Sequence, residues 1–265
     1  MVLFVTLGLI GGGLAAGGFV FNHEQNTLKV GSSAVKKEHM EHESWNAVVD
    51  NYVYIHNAFR NHLAYIRKGC ESGKDMSKEF ALWCKILELH SKVEDELLIP
   101  ALDARLKEQN ADNGSDKLIP EDILSGKDHD KVHDLIEAVS AMIKETNPDK
   151  GSLVSKLSEL ETALDEHLLQ EELYVMPLML KAFTTRELWA LDSFIVNEKL
   201  GYCDKDTLIV ITKWWFGNIS IKEGIPLFQN FARAGNQAPM PIEDWKKLQD
   251  TIPALKPFAT EDIMS

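Results

Sequence analysis

Four stretches of this chain repeat apolar residues at helical spacing, and each carries histidine, alone or with glutamate, on or beside its apolar stripe. No other feature constrains the fold as much. Helices that must bury such stripes carry their imidazole and carboxylate groups into the core with them. The first stretch runs from about Glu43 to Lys68, with Trp45, Val49, Tyr52, Phe59, Leu63 and Ile66 inward and Gly69 as its expected stop. The second runs from about Asp75 to Glu108, with Ala81, Ile86, Val93, Leu97 and Ala101 on one face. After a turn-rich loop (NADNGSDKLIPEDILSG), the third, about Asp128 to Glu145, directs Val132, Ile136, Val139 and Ile143 inward. The fourth, about Ser152 to Phe183, does the same with Leu153, Leu157, Leu160, Leu164, Tyr174 and Leu178. No stretch sustains period-two alternation, so the expected class is all-α, as an antiparallel four-helix bundle with additional short C-terminal helices.

On those stripes, His56 stands four residues after Tyr52, His90 and Glu94 lie between Ile86 and Leu97, His129 and His133 lie beside Val132 and Ile136, and His167 and Glu171 lie between Leu164 and Tyr174. Residues four apart on a helix share a face, offset by about 40°. Five histidines and two carboxylates are therefore expected to converge in one interior. The spacing also repeats: the 34-residue interval from His56 to His90 recurs from His133 to His167. HSKVEDELLIP from His90 and HLLQEELYVMP from His167 agree at histidine, glutamate and proline, so the chain holds two copies of a helix pair 77 residues apart. His129 has no counterpart, because the shifted position is Tyr52. Pro100 and Pro177 are expected to kink or end their helices just beyond each carboxylate.

One histidine on an apolar stripe is ordinarily a hydrogen-bonded core residue, and one His-x-x-x-Glu pair is ordinarily a surface ion pair. Seven converging groups are another matter. Each uncompensated buried carboxylate costs several kcal/mol, in a domain stable by only about 5–15 kcal/mol. Cations remove that penalty. Cys70, Cys84 and Cys203 are too far apart for a Cys-x-x-Cys zinc or redox site, and their odd number excludes a disulfide framework. Imidazole and carboxylate without thiolate suit iron, manganese or zinc, and seven donors exceed what one tetrahedral zinc uses. Two metals sharing Glu94 and Glu171, with three histidines on one and two on the other, would use all seven and leave one position open for a small molecule. Acidic residues outnumber basic ones 41 to 28, a net charge of −13 that repels phosphate backbones and argues against nucleic-acid partners.

HNAFR at His56, HSKVEDELLIPALD at His90, HDKVH at His129 and HLLQEELYVMP at His167 together resemble the hemerythrin-like (HHE cation-binding) domain over about residues 45–183. The resemblance implies a non-haem di-iron site that binds dioxygen reversibly or senses iron and oxygen, with zinc and manganese ranked behind iron. It puts His129, His133 and His167 on one iron and His56 and His90 on the other, with Glu94, Glu171 and an oxo or hydroxo group as bridges. In oxygen-carrying hemerythrins the last acid stands five residues after its histidine, which points to Glu172. Glu171 is preferred because it keeps the repeat with Glu94 and stays on the stripe, whereas Glu172 lies about 140° around the helix from His167. The first two motifs are also similar to the hemerythrin domains of plant iron-sensing ubiquitin ligases, but no RING or zinc-finger cysteines accompany them here, so a ligase role does not carry over. Ferritin-like bundles need paired Glu-x-x-His motifs, which this chain lacks. The same ligands would serve an enzyme reducing peroxide or nitric oxide or oxidising a small substrate. They would also serve a metal-stabilised interaction module with a Trp-rich tail as its docking surface.

Outside the bundle, residues 2–21 carry no charge and are long enough to cross a bilayer as a helix, against which stand six glycines and the lack of a basic lead. We read the segment as a membrane anchor, with a cleaved targeting sequence as the alternative; without it the chain would be cytoplasmic. The expected division is 1–41 apolar segment and linker, 42–183 bundle, and 184–265 helical extension packed on the bundle. Thr184 with Glu187 and Ser220 with Glu223 have capping-box spacing, Pro241 suits a first helical position, and Trp214, Trp215 and Phe216 read as packing. His62 faces about 120° from His56 and reads as surface or interhelical packing, while His23, His39 and His42 sit in the polar lead-in without a third ligand.

Overall fold

The computed structural model describes residues 41, 42, 44, 45, 49–109, 119–125, 127–145, 148–185, 187, 188, 191 and 205–233. Its helices are α1 (Asp50–Glu71), α2 (Ser77–Val93), a π-turn π1 (Glu94–Leu98), α3 (Ile99–Gln109), α4 (Glu121–Ser125), α5 (Lys127–Ile143), α6 (Lys150–Gln170), a second π-turn π2 (Glu171–Val175), α7 (Met176–Ala182), α8 (Lys205–Gly217) and α9 (Ile221–Arg233). No strand occurs among the described residues, and the all-α class holds. By internal contacts, the described residues within Met40–Ala58 and Phe183–Ser265 form one compact unit and those within Phe59–Ala182 another, with α1 unbroken through the division.

In the unit Phe59–Ala182 the long rods are the later part of α1, α2–π1–α3, α5 and α6–π2–α7. They alternate in direction. The Trp83 indole N–H donates to the Phe59 carbonyl at 3.1 Å while His62 meets Glu79 at 3.1 Å, so α2 descends as α1 ascends. Lys131 pairs with Glu166 at 2.7 Å between α5 and α6, and Arg60 with Asp165 at 2.7 Å and Arg67 with Glu161 at 2.9 Å between α1 and α6. α2 also lies against α5, and α3 against α7. Phe59, Leu63, Ile66, Phe80, Trp83, Leu157, Leu160 and Leu164 are fully buried between the rods, each burial stabilising by roughly 1.5–3 kcal/mol.

Two expected stripes shift. On the second rod Ala81 is exposed and Val93, Leu97 and Ala101 are half-buried, while Phe80, Trp83, Leu87, Leu98, Leu102 and Leu106 take the inward face. On the fourth, Tyr174 is 46% exposed, and Val175, Met176, Met179 and Leu180 are buried instead. The π-turns are one cause. The Ile99 N–H donates to the Glu94 carbonyl and the Met176 N–H to the Glu171 carbonyl, five residues back in each case, which delays the helical phase beyond them. Of the two outcomes expected at Pro100 and Pro177, neither proline ends its helix. In a regular α-helix each ring would press on the carbonyl four residues back, and the widened turn just before it gives the ring room.

α1 also runs past its expected stop. Gly69 lies inside the helix, where a Cβ would collide with the Met76 thioether as the chain turns back. The stop is Gly73, at φ 74°: its N–H donates to Cys70 at 2.9 Å and that of Lys74 to Gly69 at 2.9 Å, the paired bonds of a Schellman cap. Between α1 and the first turn of α2, the hydrogen bond from His62 holds the Glu79 carboxyl below its usual range. A carboxyl with a lowered folded-state pKa stabilises fully above its unfolded value and loses that contribution as pH falls through the folded one. Glu79→Gln should therefore be less stable than the native chain near neutrality, with the gap closing as the solution is acidified through the carboxylate range. Thermal unfolding across that range checks this, and a gap independent of pH would contradict it.

In the other unit both capping boxes form. The Glu187 carboxylate accepts from the Thr184 N–H at 2.9 Å, and that of Glu223 from the Ser220 N–H at 2.8 Å while also accepting from Asn57 at 2.6 Å. Trp214 and Phe216 are buried and Trp215 is half-buried. His42 is exposed and accepts from the Ser44 N–H at 3.1 Å. No helix among the described residues is long and apolar enough to cross a membrane. Residues 2–21, on which the anchor reading rests, lie outside the described residues, as do His23, His39, Cys203 and Pro241.

Candidate metal centre

Each π-turn opens on a glutamate of the sequence motif. The Glu94 N–H donates back to the His90 and Ser91 carbonyls, and the Glu171 N–H to those of His167 and Leu168. Each acid thus stands one full turn beyond its histidine on the same face. His90 Nε2 lies 3.3 Å from Glu94 Oε1, and His167 Nε2 lies 3.5 Å from Glu171 Oε1. All four are buried, both glutamates to 4% exposure. The Phe59 ring packs on His90 at 5.2 Å between centroids, an apolar wall that keeps bulk water away from it.

Six of the seven expected ligands come together. The ligand atoms of His56, His90, Glu94 and Glu171 all lie within 4.8 Å of one another, and so do those of Glu94, His129, His167 and Glu171. The two groups share both glutamates, which is the arrangement of two adjacent cation positions with common carboxylates. His129 meets Asp95 at 3.3 Å and packs edge-on against the His167 ring at 4.6 Å.

His133 is not among them. Its side chain is 70% exposed and approaches Glu137 at 3.9 Å. On α5 the buried stripe runs through Val132 and Val139, and the residue after Val132 points about 100° away from it. The exact repeat fails at the same point, because the shift of 77 residues pairs His56 with His133, whereas it is His129 that stands with His167.

Glu172 is fully buried but belongs to neither group, and its Oε1 accepts from Arg60 Nη1 at 2.7 Å. Arg60 in turn holds Asp165 through Nε. Sequence reasoning missed this network, although a signal existed: Arg60 stands four residues after His56 and so shares its side of α1. His62 turns instead to Glu79. The thiols of Cys70 and Cys84 take no part in either group, and burial pushes that of Cys84 up to about 12. The donors are imidazole nitrogens and carboxylate oxygens alone. That set fits a borderline divalent cation, whose charge offsets the desolvation of two buried carboxylates.

Residues 47–179 match the Hemerythrin HHE cation binding domain, half of the chain. The chain belongs to this family. Cation binding through its histidines and glutamates is thus common ground between the family and the geometry. Two BRUTUS-like zinc finger proteins of Arabidopsis thaliana are similar to this hemerythrin-family chain, one 26% identical over 151 residues and the other 25% over 150. Each alignment covers 51% of this chain and 11% of the relative, so the chain spans about a tenth of the length of the curated relatives it matches. No solved structure matches it.

Proposed function

We propose that this chain is a non-haem di-iron protein that binds a small molecule such as dioxygen at its metal pair. The observation that carries the reading is the pair of buried groups sharing Glu94 and Glu171, with His56 and His90 serving one position and His129 and His167 the other. Bound there, an iron pair supplies dioxygen binding and redox chemistry that no side chain of the set supplies alone. The protein's part is placement. Two imidazoles and two shared carboxylates give each position four donors, fewer than the six of an octahedral ion, so both positions keep room for an exogenous ligand. Asp95 orients His129, and the apolar wall at Phe59 shields His90. Four donors also suit tetrahedral zinc, which would make the metal a structural staple and the chain an interaction module.

Full-length protein purified from iron-replete cells should hold two irons per chain and show visible absorption that differs between oxygen-free and air-equilibrated solution. Stoichiometric zinc with no iron would overturn the assignment. Steady consumption of peroxide or nitric oxide by the iron form, lost in His90→Ala, would move the reading from binding to catalysis.

A further inference from the structure

Two carboxylates follow one another where π2 opens, and both are buried: Glu171 at 4% exposure and Glu172 at 0%. Only Glu171 reaches the two histidine groups. A cation pair attracts either acid. The turn that carries them bonds five residues back rather than four, so a one-residue slip of that bonding would exchange which acid faces the histidines. Something must hold the register.

We propose that Arg60 is a positioning residue that selects Glu171 over Glu172 as the shared carboxylate by locking Glu172 in a buried ion pair. The lock is built from three groups. The Arg60 side chain is 8% exposed, its Nη1 lies 2.7 Å from Glu172 Oε1 and its Nε lies 2.7 Å from Asp165 Oδ1. The guanidinium is planar and permanently charged, so gripping Asp165 on α6 with one edge fixes the direction in which it offers the other to Glu172. It neutralises the acid next to the centre and keeps its oxygens turned away from the histidines.

The first copy of the repeat supports this by contrast. There the residue after the shared glutamate is Asp95, 44% exposed and turned to His129 at 3.3 Å. A half-exposed acid is already hydrated and no rival for the buried position, and among the described residues no arginine pairs with it. The second copy, whose following acid is buried, is the one with a buried arginine against it.

This inference rests on the proposed iron pair, and its test separates the two. In full-length iron-loaded protein, Arg60→Gln should weaken iron binding about 10–100-fold, as loss of an outer partner of a ligand does, and shift the visible absorption. Glu172→Gln should leave both unchanged. The double variant Arg60→Gln/Glu172→Gln should return to native affinity and spectrum, because with no rival acid the lock is not needed. Where Arg60→Gln fails to fold, Arg60→Lys takes its place: it keeps the charge without the two-edged geometry, and the same rescue by Glu172→Gln is expected. A double variant as impaired as the single one, an Arg60 variant with native affinity and spectrum, or loss of iron on Glu172→Gln alone would each overturn the lock. A native chain holding no iron pair would overturn the parent reading instead.

Discussion

Stripping the cations from the folded chain should destabilise it by about 3–5 kcal/mol, because Glu94 and Glu171 would be left as neighbouring carboxylates at 4% exposure. For a helical unit of this size that is a fall of about 10–20 °C in Tm. The sign of the companion effect is more telling than its size. Replacing both acids, Glu94→Gln with Glu171→Gln, should abolish metal binding and yet give a protein more stable than the metal-free native chain. Neutral amides need far less compensation in an apolar core than carboxylates do. Thermal unfolding with and without a strong chelator checks both statements. The native chain should respond strongly and the double variant not at all. A native chain indifferent to the chelator would mean that its buried acids are satisfied without cations.

His133→Ala should keep the full metal complement, whereas His129→Ala and His167→Ala should each lose the ion on their side, leaving about half the metal. The contrast follows from placement: the His133 side chain is 70% exposed beside Glu137, while His129 and His167 stand within 4.8 Å of both shared glutamates. An exposed site of this kind also changes stability by no more than about 0.5 kcal/mol, so His133→Ala should unfold like the native protein. Metal analysis of the three purified variants decides it. Equal loss in all three would restore His133 as a ligand and require α5 to rotate about its axis from the position described.

Helix class and the inward His-x-x-x-Glu pairs were legible because both depend only on local spacing: His90 with Glu94 and His167 with Glu171 keep the one-turn offset in three dimensions. The same one-turn offset is what sets Glu171, and not Glu172, beside His167 in the grouped side chains. What escaped was whatever depends on a departure from regular helix geometry or on a neighbouring rod. Tyr174 was placed inward by extrapolating a 3.6-residue period through a turn that bonds five residues back. Pro100 and Pro177 announced that something interrupts each helix, and the interruption is a widened turn before the ring rather than an end after it. His133 stands outside both groups with its side chain 70% exposed, because four-residue spacing to His129 does not say which of the two faces the core. Arg60 was passed over because its partners, Asp165 and Glu172, lie more than a hundred residues away on another rod.

These readings have one common root, that a pair of cations sits between Glu94 and Glu171. Anomalous scattering at the iron edge, from crystals of the iron-loaded chain, tests it most directly. The account predicts two peaks about 3.5–4 Å apart, each touching both glutamates, one flanked by His56 and His90 and the other by His129 and His167. A single peak, or density in which the two glutamates are bridged by protein hydrogen bonds with no scatterer between them, would contradict it.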